Sequence, residues 1–262
     1  MTLEQYIRNP MGKGNATISL NARITMQNTY KKKFHTVMLK EKGQFKTKMF
    51  YIKQSNTYVL YIKVPSETVK DFYYDVVFQF QPNNDTKEAG NNLMKYDIKF
   101  FSNDPAFVYT YANTFIQHDL FIKQLASKMS KTAIKQKAEE KNPSNTVGYV
   151  KTFYFAYLYM VEKNLVNLTR FSSLCSTNIG YKDIITEIED ADSKIADREA
   201  EGKKQVHQRQ EKRKADNDIN IAKSIGLIKN NKTNVKMVHK IESIQQKKSK
   251  GNKTGIGHFK KG

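Results

Sequence analysis

Met94-Lys95-Tyr96-Asp97-Ile98-Lys99-Phe100 alternates strictly, with Met94, Tyr96, Ile98 and Phe100 on one side and Lys95, Asp97 and Lys99 on the other. A period of two is the signature of a strand with one buried and one solvated face. Upstream, Tyr73–Phe80 places Tyr74, Val76, Phe78 and Phe80 on one face. Tyr58–Val64 is β-rich and largely apolar, as a central strand would be. The two alternating stretches are separated by a polar loop of turn formers, Pro82-Asn83-Asn84-Asp85 through Gly90-Asn91-Asn92. The expectation is an antiparallel sheet with one solvated face.

Past the sheet the pattern becomes helical. Asp104-Pro105 is a helix start, with Asp as N-cap and Pro in the first turn. Phe107, Tyr111 and Phe115 follow at a spacing of four, which puts them on one helical face. A second helix is expected over Leu120–Met129, then a Lys-rich linker or exposed helix from Ser127 to Asn142, ending at Pro143. Gly148–Asn164 is apolar nearly all round and reads as a buried helix. Before the sheet, Gly12, Gly14, Asn15, Asn21 and Asn28 favour loops and Lys31-Lys32-Lys33 closes the segment, so residues 1–33 read as an N-terminal arm.

Aromatic residues and charge divide the chain further. There are 15 Phe and 15 Tyr, and only Phe259 lies beyond Tyr181. Large rings dominate core energetics, so the core belongs to roughly the first 180 residues. From Glu201 to Gly262 there are 17 Lys+Arg against 5 Asp+Glu, +12; the preceding residues hold 28 against 20, +8. Between them, Ile184, Ile188, Ala191 and Ile195 fall at 4-3-4 spacing, a short seam for a partner helix or for the chain's own body. Asp183 to Glu201 is mainly acidic and Lys203 to Lys214 mainly basic, an order that complements a helix dipole at both ends. Ile219, Ile221, Ile225, Leu227 and Ile228 form a short apolar cluster that could be a docking patch. The residues after it are Lys-, Asn- and Gly-rich and cannot bury enough apolar surface to fold alone. The expected organisation is an N-terminal arm (1–33), an α+β body (34–181) of antiparallel sheet and packed aromatic-rich helices, a charged amphipathic helix (182–215) and a basic extended tail (216–262).

A basic arm suits the phosphates of nucleic acid or an acidic protein surface. Its candidate contact residues are Lys203, Lys204, Arg209, Lys212, Arg213, Lys214, Lys247, Lys248, Lys250, Lys253, Lys260 and Lys261. The rings lie in the body and the charge in the arm, so attraction to a nucleic-acid backbone is expected rather than base reading. Cys175 is the single cysteine, which excludes an intramolecular disulfide framework and argues against a thiolate metal cluster. The first ten residues lack the apolar stretch of a signal peptide, and Tyr149–Val161 is too short for a membrane span. A soluble protein made in a reducing cytoplasm is expected, with no membrane association.

Signals for chemistry are sparse. Gly12-Lys13-Gly14 lacks the further glycine and the Ser/Thr of a phosphate loop, and Gly255-Ile256-Gly257 has no β-α-β context. None of His35, His118, His207, His239 and His258 sits at metal-ligand spacing to another or to Cys175. One constellation has a mechanism. Asp75 on one strand and Asp97-Ile98-Lys99 on another form the skeleton of a PD-(D/E)xK nuclease, whose carboxylates hold Mg²⁺ while the Lys positions water. A solvated strand face needs the same residues, and no Pro precedes Asp75. No catalytic residue, metal or cofactor is therefore expected.

Several segments resemble a family of virion structural proteins from tailed phages of AT-rich hosts. They are Ile62-Lys63-Val64-Pro65-Ser66-Glu67, Asp71-Phe72-Tyr73-Tyr74-Asp75-Val76-Val77, Phe100-Phe101-Ser102-Asn103-Asp104-Pro105-Ala106-Phe107, and Lys141-Asn142-Pro143 through Gly148-Tyr149-Val150-Lys151. The Lys- and Asn-rich, Trp-free composition fits such a genome. The resemblance covers about residues 60–160 and implies a place in the particle (capsid, neck or tail), with other virion proteins as partners, a homo-oligomer or larger assembly, and no catalytic residues. It also implies synthesis in the host cytoplasm and residence in the virion. The rival expectations are a nucleic-acid-binding accessory protein for packaging or replication, the Mg²⁺-dependent nuclease, and a ribosome-associated basic protein.

Overall fold

The computed structural model describes residues 1–10, 20–83, 90–135, 138, 140–143 and 145–224. The chain forms two compact units, residues 1–203 and 204–262, the second described as far as residue 224. In the first unit, β1 (Lys46–Ile52), β2 (Thr57–Pro65), β3 (Tyr73–Gln81) and β4 (Asp97–Ser102) form one antiparallel sheet in sequence order. With the helices packed on it, this is the expected α+β fold. The register aligns Leu60 with Phe78 and Phe78 with Phe100, so one face is a continuous apolar surface. Helix α5 (Lys151–Glu162) covers that face as the central element of the aromatic core. Its Phe153 ring lies 4.9 Å from Phe100, 5.1 Å from Phe107, 5.9 Å from Phe78 and from Phe115, and 6.4 Å from Tyr6.

The other face of the sheet is covered too, which corrects the expectation that it is solvated. Val59, Tyr61, Val77 and Phe101 point to that side and are all buried. Phe121 packs on Phe101 at 6.2 Å. Helix α7 (Tyr181–Glu187) brings the Tyr181 ring to 5.7 Å from Phe50 and its hydroxyl onto Gln79. Polar side chains on that side include Asp97 and Lys99 of β4, both half-buried, the half-buried Lys63 of β2 and Lys46 and Lys48 of β1, beside the buried Asp75 and Gln79; Phe101 and Ser102 are buried.

Both sheet edges are occupied by neighbouring chain. At β4, Ile98 N–H donates to the Met1 carbonyl (3.0 Å), Phe100 N–H to Leu120 (2.7 Å) and Ile122 N–H to the Phe100 carbonyl (3.1 Å). At β1, Ser176 N–H donates to Met49 (2.8 Å), and Lys46 and Lys48 add charge that disfavours edge-to-edge pairing. The helix expected over Leu120–Met129 is reduced to a 3₁₀ stretch, Lys123–Lys128, because Leu120 and Ile122 are committed to this edge.

The described residues of the expected N-terminal arm, 1–10 and 20–33, pack on the body instead. Thr2 and Gln5 form a capping box that starts α1 (Leu3–Arg8), and Leu3, Tyr6 and Ile7 are buried at i, i+3, i+4. The Tyr6 hydroxyl donates to the Gly148 carbonyl and accepts from Val150 N–H, each at 3.1 Å. Helix α2 (Leu20–Lys40) places Phe34, Val37 and Met38 in the same core, while Lys31 and Lys32 take its outer side. Composition pointed to a loop; the apolar spacing of these two segments prevails.

Asp104 caps its turn as expected, its carboxylate accepting from Ala106 N–H at 2.9 Å. A π turn, Phe107–Tyr111, precedes α3 (Ala112–Gln117), with Ala112 N–H donating to the Phe107 carbonyl. The extra residue per turn takes Tyr111 out of the expected row. Phe107 and Phe115 still meet, at 5.3 Å. The Thr110 carbonyl within that turn accepts from Asn142 Nδ2 at 3.3 Å. Short helices α4 (Lys131–Lys135) and α6 (Leu168–Ser173) complete the layer.

Asp104 is buried where α5 begins, and burial raises its carboxyl above the ordinary range. The Ala106 N–H, the nearby Thr152 hydroxyl, the Lys151 ammonium and the Arg198 guanidinium draw it partly back. A raised folded-state value means the contribution to stability is full below the ordinary carboxyl value and is lost as pH rises through the folded one. Asp104→Asn, which keeps a capping oxygen, is expected to match the parent near pH 3 and to exceed it at pH 7. Urea midpoints at the two pH values check this.

Candidate cationic interface

The acidic-to-basic stretch seen in the sequence divides into two helices. Helix α7 ends at Glu187, Ile188 is its extended C-cap, and α8 (Ala191–Ser224) begins afresh with Asp192 in its first turn. The seam is thereby broken. Ile184, Ile188, Ala191 and Ile195 are all buried in the core of the first unit. They are correctly identified as an apolar row, but they serve the chain's own body and are not free for a partner helix. Asn103 Nδ2 donates to the Glu189 carbonyl (3.3 Å), Lys48 pairs with Glu187, and Lys128 pairs with Asp190 at 3.5 Å. The Lys194 ammonium, itself buried, sits 4.4 Å from the centre of the Phe72 ring and 2.8 Å from Glu189. Sequence reading missed these anchors, since the cation and its ring lie 122 positions apart.

The boundary between the two units falls within α8, between Lys203 and Lys204. Residues 203–214 contain Lys203, Lys204, Arg209, Lys212, Arg213 and Lys214 against the single carboxylate of Glu211. All six cations are exposed. At about 100° per residue, and taking Lys203 as zero, they sit at about 100° (Lys204), 240° (Arg209), 180° (Lys212), 280° (Arg213) and 20° (Lys214). No stripe forms; positive charge surrounds the helix. His207 and Glu211 pair at 3.2 Å on one turn. Val206 is exposed, and no Phe, Tyr or Trp occurs from Lys203 to Ser224. Residues 216–224 of the expected extended tail are helical instead, because α8 continues to Ser224, and the rest of that tail lies outside the described residues. Lys247, Lys248, Lys250, Lys253, Lys260 and Lys261 lie outside the described residues, as do residues 225–228 of the apolar cluster.

Several charges of the body form local pairs. Glu67 holds Lys33 at 3.0 Å and Lys151 at 3.2 Å, Asp119 holds Lys99 at 2.8 Å and Lys123 at 3.2 Å, and Glu4 holds Lys95. Asp119 is held below the ordinary carboxyl range chiefly by its hydrogen bond from Lys99.

The nuclease constellation does not assemble. Asp97 lies opposite Gln81, six positions along β3 from Asp75, or about 20 Å at strand rise. Lys99 is taken by Asp119. Asp75 is 2% exposed and accepts from the Tyr61 hydroxyl (2.7 Å) and from Asn103 Nδ2 (2.8 Å), with Lys63 Nζ at 3.8 Å. Burial, then the adjacent Asp75 charge, holds the Tyr61 hydroxyl protonated far above its usual range. Among the described residues no three His, Cys, Asp or Glu side chains gather as a metal site, and no helix is long and apolar enough to cross a membrane. Compared with protein-family models, curated proteins and solved structures, the chain matches none.

Proposed function

We infer that the chain is a non-enzymatic assembly component of a phage particle, a capsid, neck or tail protein whose basic C-terminal arm contacts neighbouring subunits or packaged DNA. The supporting observation is its division into two chemically different units. Residues 1–203 bury a closed aromatic core and pair many of their charges locally. Residues 204–262 hold 16 Lys+Arg against 4 Asp+Glu, +12. Net charge of that size informs partners rather than fold. With the apolar seam consumed by the body, what this part of α8 offers a neighbour is charge. Other virion proteins are the partners in this reading, within an oligomer or larger assembly.

Mass spectrometry of gradient-purified particles tests it. The chain is expected at a fixed ratio to the major capsid protein, retained through nuclease and high-salt washes. If it is absent from particles yet abundant in infected cells, the accessory role in packaging or replication replaces this reading.

A further inference from the structure

The geometry points to one partner for residues 203–214 of α8: the phosphate backbone of duplex nucleic acid, with the helix lying in the major groove. The inference rests on reading the basic arm as a contact element and names what it contacts.

Three observations carry it. First, the cations surround the helix. Lys204 and Arg213 face opposite ways, as do Lys203 and Lys212, at about 180° from each other. An acidic patch on a protein engages one side of a helix and leaves the other in solvent. A groove presents phosphates on both walls. The major groove is about 12 Å wide and admits a helix about 10–12 Å across, so opposite azimuths meet opposite strands. Second, a helix seated in a protein groove needs apolar anchors at i, i+3, i+4 and i+7. Between Lys203 and Lys214 only Val206 is a sizeable apolar residue; the buried row before it ends at Ile195, inside the body, and Ile219 and Ile221 come only after Lys214. Third, tight binding of single strands uses aromatic platforms on which bases stack, and this helix carries no Phe, Tyr or Trp, its one ring being the His207 imidazole paired with Glu211. Duplex phosphates, at one charge per about 1.7 Å of axis, match a helix segment about 18 Å long without any stacking.

The test uses the full chain and a labelled 30-base-pair duplex of random sequence, with affinity read by fluorescence anisotropy from 50 to 200 mM KCl. Each phosphate contact contributes about 0.9 to the slope of log affinity on log salt. Replacing all six cations by Gln preserves helix propensity and removes the contacts. If only half of the six touch phosphate at once, the slope falls by about 2.7. The parent then loses about forty-fold more affinity than the variant over that salt range. Circular dichroism of the variant is expected to be unchanged. A variant with Gln at Lys247, Lys248, Lys250, Lys253, Lys260 and Lys261 is expected to keep most of the slope. The proposal is overturned if the helix variant keeps the parent slope or if only the tail variant loses it. It is equally overturned if a poly-Glu peptide of equal charge displaces the duplex at equal concentration, which would identify an acidic protein partner. Tighter binding of single-stranded dT30 than of the duplex overturns it as well. None of these outcomes bears on whether the chain is found in particles, so the two readings fail separately.

Discussion

Phe153→Ala is expected to cost about 3–5 kcal/mol, the range for truncating a buried Phe to Ala. The ring is the hub of the core: α1, β3, β4, the π turn and α3 each place an aromatic side chain against it, through Tyr6, Phe78, Phe100, Phe107 and Phe115. These rings come from five different elements, so no single local shift closes the cavity. A loss of that size is a large part of the stability of an ordinary domain, about 5–15 kcal/mol. Urea unfolding should show the midpoint falling steeply. Leu39→Ala, on a side of α2 where Leu39 is 83% exposed, is the control and should change stability by under about 0.5 kcal/mol. Comparable losses from the two variants would mean that the hub is misplaced.

Asp75→Ala is the second large effect, expected at about 3–5 kcal/mol, because it strips the charged member from a buried network. Tyr61 would be left with a buried hydroxyl and no acceptor, and Asn103 Nδ2 would keep only the Glu189 carbonyl. Asp97→Ala is expected to cost under about 1 kcal/mol, since Asp97 is 46% exposed and its partner is the Met1 amino group at 3.2 Å. The pair separates two explanations of the same residues. A nuclease would need both carboxylates for activity and neither for folding. The structural role predicts that stability depends on Asp75 alone, and chemical denaturation of the two variants decides it.

The sheet and α5 were legible in sequence because their signals are local. The alternation through Ile98 and Phe100 marks the face that α5 covers, and the apolar run around Phe153 marks a helix that is mostly buried. What covers a face is not a local property. Ile184, Ile188, Ala191 and Ile195 have the period of a buried row, but a period does not say against what the row is buried, and the body itself claimed them. The second face of the sheet was misread for the same reason: Lys95, Asp97 and Lys99 suggested solvent for the whole sheet, whereas Val59, Tyr61, Val77 and Phe101 on that face are buried. The N-terminal helices were hidden by composition. Leu3, Tyr6 and Ile7 behind the Thr2–Gln5 box, and Phe34, Val37 and Met38 behind Lys31-Lys32-Lys33, carry the helical spacing that the glycines and lysines masked. The π turn has no periodic signal in sequence, since Phe107, Tyr111 and Phe115 fit an ordinary helix equally well. The six cations of α8 were legible both as charge and as part of one helix, since they all fall within the expected helix 182–215.

The central claim is that the chain joins a self-sufficient body to a separate cationic unit. Urea unfolding of residues 1–203 beside the full chain tests it most directly. The account predicts the same midpoint and the same cooperativity for both, since among the described residues the buried core ends at Ile195. A lowered midpoint or a broadened transition for residues 1–203 would contradict it, by showing that the body needs the cationic unit to fold.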